Sequence, residues 1–168
     1  IPRWADARPR PGRYDRGMER PEIVSLEEHR VPQAAGVLAR AFVDEPTSVH
    51  LFPNPEDRVE KSSALFAALL RFGLHYGGAV TTAGDILGAS AWAAPGQWQI
   101  TKEQAAAIGF LELPAAIGEE AASRFFEMYM TLASYHEADA PPNHWYGVVG
   151  GVEAQGRGRW VGHAGVRR

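Results

Sequence analysis

The chain has 168 residues, 45% hydrophobic and 22% charged, which suits one globular domain with enough apolar material for a core and argues against a disordered chain. A formal charge of −3 gives no basic field to hold a nucleic acid, and the absence of cysteine excludes disulfides and thiolate zinc sites, which fits a cytoplasmic setting. No apolar run approaches the roughly 20 residues that span a bilayer, and no segment reads as a signal peptide, so neither membrane insertion nor secretion is expected.

Residues 1–17 carry Pro2, Pro9, Pro11 and several arginines without apolar periodicity, and read as a disordered tail. Patterned sequence begins after Met18, so Met18 is the expected natural start and the preceding residues translated upstream sequence; a basic flexible tail is the alternative. Alternation around Ile23 and Leu26 predicts a short edge strand. Pro32 suits a first helical turn, and Ala34, Val37, Leu38, Ala41 and Phe42 share one helical face until Pro46 stops the run. Asn54 as cap, then Pro55, Glu56 and Asp57, announce a second helix, closed by Gly77-Gly78, with Val59, Phe66, Leu69, Leu70 and Tyr76 on its buried side.

Ala79 to Thr82 and Ile86 to Ala94 predict a hairpin about Ala83-Gly84-Asp85, ended by Pro95-Gly96. Thr101 with Gln104 forms a capping box, and the chain stays helical to about His136, interrupted by Gly109, Pro114 and Gly118, which predicts two helices. Asp139 to Asn143, with Pro141-Pro142, reads as a loop, and Trp145 to Val152 as an apolar strand. The order of elements is that of an α/β or α+β domain.

One turn carries chemistry. Val152-Glu153-Ala154-Gln155-Gly156-Arg157-Gly158 places glycines at alternate positions directly after an apolar strand, where backbone amides can approach an anion and the glycines permit positive φ. With His144-Trp145-Tyr146 before the valine-rich strand, this segment resembles the acetyl-CoA-binding strand and turn of the GNAT superfamily of N-acetyltransferases. Val37 to Pro46, Leu51-Phe52-Pro53-Asn54-Pro55, and Ala91 to Gly96 leading into Trp98 are similar to the opening of many bacterial members.

The resemblance implies a GNAT-type mixed sheet flanked by helices, of which residues 18–158 form the N-terminal part, with a helical insertion before the fourth strand. It further implies acetyl-CoA as cosubstrate and a primary amine of a small molecule or peptide as acceptor. Val152 is then expected to meet the pantetheine arm through its backbone, with Val149 an equal candidate, while Gln155, Gly156, Arg157 and Gly158 cradle the pyrophosphate. The stretch between Val152 and Gln155 is shorter than the family's usual spacing and lacks its proline. The family's thiolate-protonating tyrosine lies beyond Gly158 and has no counterpart here, so the catalytic residues stay unassigned.

Residues 159–168 do not continue the family pattern. Dropping the first nucleotide of the Arg159 codon makes the Trp160–Val161 junction read glycine, so a frameshifted tail on a truncated, impaired enzyme is expected. The alternatives are deliberate truncation and unrelated sequence. An apolar strand left at the edge would favour a homodimer or aggregation.

The six histidines show no helical ligand spacing, so no metal site is expected. Glu153 is a candidate base or a solvated turn residue. His136, Glu137 and His144 are an acid–base group or a plain loop, and Phe125, Phe126, Met128 and Tyr129 line an acceptor pocket or pack the core. Against the acetyltransferase stand a non-catalytic remnant or interaction module and an unrelated nucleotide binder, the latter lacking the lysine of a phosphate-binding loop.

Overall fold

The computed structural model describes residues 21–141 and 143–157; the 1–17 segment, Met18, Gly158 and the 159–168 segment lie outside the described residues. Strands β1 (Ile23–Ser25), β2 (Gly77–Thr82), β3 (Gly88–Ala93) and β4 (Tyr146–Val152) lie in that order across one sheet, each antiparallel to the next. β1 takes the edge that its short alternating run predicts. The β2–β3 hairpin is closed by Thr82, whose Oγ1 donates to Asp85 O (2.6 Å) and accepts from Leu87 N (2.9 Å).

Helix α1 (Val31–Ala41) has Pro32 in its first turn and buries Val31, Ala34, Val37 and Leu38. Pro46 does not only end that run. It opens a further helix, α2 (Pro46–Leu51), whose N-cap Glu45 accepts from Thr47 N at 3.0 Å. A proline after a capping acid has φ preset for a first helical position, so it starts a helix as readily as it stops one.

Helix α3 (Arg58–Tyr76) begins later than Asn54, because Asn54 Oδ1 accepts from Glu56 N (3.1 Å) in a local turn instead of capping the helix. Of its expected buried stripe only Leu70 is fully buried; Leu65, Ala68 and Phe72 lie deeper than Val59, Phe66, Leu69 or Tyr76. The reason is that α3 is central and apolar on two sides. Leu70 and Phe66 face α1 and the sheet, whereas Leu65, Ala68 and Phe72 face the helical insertion. Full burial of a residue such as Leu70 or Phe72 stabilises the fold by about 1.5–3 kcal/mol.

The insertion holds three helices where the spacing predicts two: α4 (Lys102–Ala107), α5 (Leu113–Ile117) and α6 (Glu119–Asp139). The Thr101 capping box forms, with Thr101 N donating to Gln104 Oε1 (2.9 Å) and Gln104 N to Thr101 Oγ1 (3.2 Å). Pro114 begins α5 instead of interrupting a longer helix, and Gly118, at φ 91°, separates α5 from α6. Ile108, Phe110, Ile117 and Phe125 join Phe72 in one core cluster, and Ala89 and Ala91 of β3 join α1 in the other. Alanines on this face let α3 lie close: a Cβ on Gly73 would come within 2.6 Å of Ala91 Cβ. No helix among the described residues is long and apolar enough to cross a membrane.

Candidate functional site

The site forms where β4 departs from regular pairing. Its register against β3 runs Gly88↔Val152, Ala89↔Gly151, Ser90↔Gly150 and Ala91↔Val149, then shifts to Trp92↔Gly147, leaving Val148 as the extra residue of a bulge. A bulge breaks the period-2 alternation. Val148 and Val149 therefore both pack toward the helical layer.

The regular ladder that follows the bulge decides which backbone groups turn away from β3. Glu153 N donates to Leu87 O (2.9 Å). In an antiparallel ladder that phase turns Gly151 toward β3 and leaves Gly150 and Val152 with N–H and C=O directed at the opposite edge. No strand pairs with that edge among the described residues.

Gly151 sets how closely α1 approaches. A Cβ there would lie 2.6 Å from the Phe42 ring and 3.0 Å from Leu38 Cδ2, so only glycine lets the end of α1 rest on β4. The chain then turns, Glu45 N donating to Phe42 O at 3.0 Å, and enters α2.

Between these elements lies a cavity of about 310 Å³, at the lower end of the range of small-molecule sites. Val148, Val149 and Gly150 form one wall, Phe42 and Glu45 a second, and Thr47, Ser48, Leu51 and Phe52 a third. Leu65, Phe66 and Leu69 of α3 and Phe125 and Met128 of α6 close it. Phe125 and Met128 thus belong to core and cavity lining together.

Two arginines hold the α2 wall, and sequence reasoning missed both. Arg58 is buried, and its guanidinium donates to Phe52 O (2.7 Å), Pro53 O (3.0 Å) and Val43 O (3.2 Å). Arg124 of α6 donates to Leu51 O (2.8 Å) and to Glu120 (2.6 Å). Carbonyls 51, 52 and 53 end α2, where its orphaned acceptors and the negative end of its dipole gather, so two cations satisfy both needs. Arginine is ordinarily exposed, and no pattern marks Arg58 as an exception. The capping acid before Pro46 was a readable signal for α2.

The glycine turn follows β4 as a 3-10 turn, Ala154–Gly156. Gly156 is buried without positive φ. Glycine is required there because a Cβ would meet Val152 Cγ1 at 2.8 Å and Leu87 Cβ and O at 3.0 Å, a reason of packing and not of conformational freedom. Gly156 N donates to Glu153 O (2.8 Å) and Arg157 N to Ala154 O (3.3 Å), so these two amides are engaged in the turn itself. The amides of Ala154 and Gln155, first in the turn, have no acceptor within it. Val152 lies under Gly156, and Gln155 and Arg157 are exposed. Val149 bonds toward β3, which leaves Gly150, not Val149, as the second edge residue beside Val152.

Glu153 is not a solvated turn residue. Its side chain is 17% exposed and takes the Arg40 guanidinium of α1 on both oxygens, Nε at 2.5 Å and Nη2 at 3.3 Å. That hydrogen bond, outweighing partial desolvation, holds its carboxyl below the usual carboxylate range. A carboxylate so held is a poor proton acceptor near neutrality. It acts instead as a strut between α1 and the end of β4.

His136 and His144 do meet, Nε2 to Nε2 at 2.8 Å, across the double-proline loop. His144 Nδ1 must carry a proton, because its partner at 2.5 Å is the carbonyl of Pro141. In the neutral ring His144 Nε2 then accepts, and His136 Nε2 donates. Trp98 and Tyr146 pack on His136 at ring distances of 4.6 and 4.7 Å. The pair pins the loop to α6 where β4 begins. Among the described residues no group of three or more potential ligands could hold a metal.

No protein-family model and no curated protein matches the sequence. Among solved structures the chain is similar to one described as histone acetyltransferase HPA2 and related acetyltransferase from Corynebacterium glutamicum. The TM-score is 0.58 at 22% identity, covering 87% of this chain and 67% of that one. The likeness shows the fold: an α/β arrangement like that of this solved structure, with a four-stranded antiparallel sheet and its helices among the described residues.

Proposed function

We propose that this chain is part of a cytoplasmic GNAT-type enzyme that transfers an acetyl group from acetyl-CoA to a primary amine. The observation that carries the reading is the edge of β4 that no strand among the described residues pairs with. Gly150 and Val152 direct backbone N–H and C=O groups along it, and Gly150 also lines the apolar cavity, in a chain with an acetyltransferase-like fold. An amide-bearing arm such as pantetheine can pair with such an edge as an added strand does. The turn that follows would meet the pyrophosphate through the amides of Ala154 and Gln155, which have no acceptor among the described residues, with Gly156 keeping the backbone close, and through Arg157 and Gly158.

In the reaction the amine nitrogen attacks the thioester carbonyl, the C–N bond forms and the C–S bond breaks, and the proton lost by nitrogen ends on the departing thiol. The chain's own contribution is alignment of donor and acceptor across the cavity and the fixed dipoles of the β4 edge.

Calorimetric titration with acetyl-CoA tests the reading. Gly156→Val, which pushes the turn off Val152 and Leu87, should weaken binding by about tenfold or more, and Gln155→Ala by less than about threefold. Thermal melts must show that both variants fold. Equal affinity for wild type and both folded variants refutes the cradle, and binding without acetylation of any amine favours a non-catalytic binding module.

A further inference from the structure

We infer that the acceptor is a primary amine on an apolar body, of the size and kind of an arylalkylamine, bound in the cavity with its ammonium beside Glu45. The inference rests on the acetyl-transfer reading and names the acceptor class of that site. The polar groups of the cavity are not scattered. Glu45, Thr47 and Ser48 all come from the start of α2, and among the described residues Glu45 is the only ionisable one in the lining. The remaining side chains are aromatic or aliphatic.

This asymmetry has a direction. Glu45 N donates to Phe42 O at 3.0 Å, and Phe42 rests on Gly151, so Glu45 joins the lining on the side where the end of α1 meets β4. The apolar end is the lining from α3 and α6, where Leu65, Phe66, Leu69, Phe125 and Met128 bring no polar side chain. An amine held by Glu45 therefore sits at the edge where the thioester would lie, while its body fills the space between α3 and α6. Phe42 and Phe66, both in the lining at a ring distance of 5.6 Å, supply aromatic surface suited to a cation or an aryl ring. A polyamine would bring charge into an apolar space without a second carboxylate to meet it. A polyanionic donor reaching into the cavity would be opposed by Glu45.

The test is binding to the full chain without acetyl-CoA, followed by turnover. The probes are 2-phenylethylamine, spermidine, 3-phenylpropionate and octanoyl-CoA. 2-Phenylethylamine should bind at least about tenfold more tightly than spermidine or 3-phenylpropionate. Glu45→Gln should weaken it about fivefold. That variant keeps a side-chain oxygen for Thr47 N, so its melting temperature should stay near wild type. Met128→Trp should abolish binding by filling the apolar end. Equal or tighter binding of spermidine overturns the inference, as does indifference of 2-phenylethylamine to both substitutions. So does Met128→Trp blocking octanoyl transfer while sparing the amine, which would assign the cavity to an acyl chain. 2-Phenylethylamine binding without acetylation would uphold the inference and remove the transfer reading; acetylation of spermidine without 2-phenylethylamine binding would do the reverse.

Discussion

Replacing Arg58 by methionine should destabilise the protein by about 3 kcal/mol. The buried guanidinium donates to three carbonyls, at 2.7, 3.0 and 3.2 Å, and a hydrogen bond from a charged donor contributes about 1.5–3 kcal/mol. Methionine keeps the packing of the stem and removes the cost of burying the charge, which offsets part of that sum but leaves buried carbonyls without a donor. Asp44 cannot be the source of the stability: it is 92% exposed and reaches Arg58 only at 4.0 Å. Urea denaturation should show a lower midpoint with an unchanged slope, and the melting temperature should fall by about 6–12 °C for a chain of this size. Asp44→Asn should change stability by less than about 0.5 kcal/mol. A loss below about 1 kcal/mol in Arg58→Met, or equal losses in the two variants, would refute the account of the α2 anchor.

Gly151→Val should cost about 1–3 kcal/mol, because the new side chain displaces Phe42 and Leu38 from β4, and should weaken ligand binding in the cavity; chemical denaturation with a parallel titration checks both. Glu153→Gln should cost less than about 1 kcal/mol at neutral pH, since Arg40 is half exposed. Because Arg40 lowers the Glu153 carboxyl in the folded state, the pair's stabilisation is complete above the usual carboxylate range and is lost as pH falls through the lowered value. Denaturation of wild type and variant across pH 3 to 7 should therefore converge at the acid end, and a gap that widened there would contradict the ion-pair strut.

Much of the fold was legible because local signals and tertiary needs agreed. The hairpin about Gly84, the Thr101 capping box and the valine-rich β4 each combine a turn or cap chemistry with a matching apolar period. The errors fell where a residue type serves two roles. Pro46 and Pro114 read as stops and prove to be first-turn residues, and Asn54 reads as a cap and closes a local turn. The stripe of α3 was misjudged because a helix buried on two sides has no single apolar face to find.

The site was legible in its backbone and not in its side chains. A glycine-rich turn after a strand announces itself in sequence, since glycine is needed wherever chains approach closely, even though at Gly156 the pressing neighbours are Val152 and Leu87 and not a ligand. A bulge leaves no such mark: Val148 and Val149 look like any pair of strand valines until the register against Ala91 and Trp92 is known. That one-residue shift turns two consecutive valines to the helices and puts both in the lining that Phe42, α2 and α6 complete. Arg58 and Arg124 hold the end of α2, whose Leu51 and Phe52 line the cavity, through contacts with main-chain carbonyls whose position depends on distant parts of the chain. Residues joined to backbone across 73 positions of sequence, as Arg124 is to Leu51, carry no periodicity and no motif, so this wall of the cavity was the part of the molecule least open to sequence reasoning.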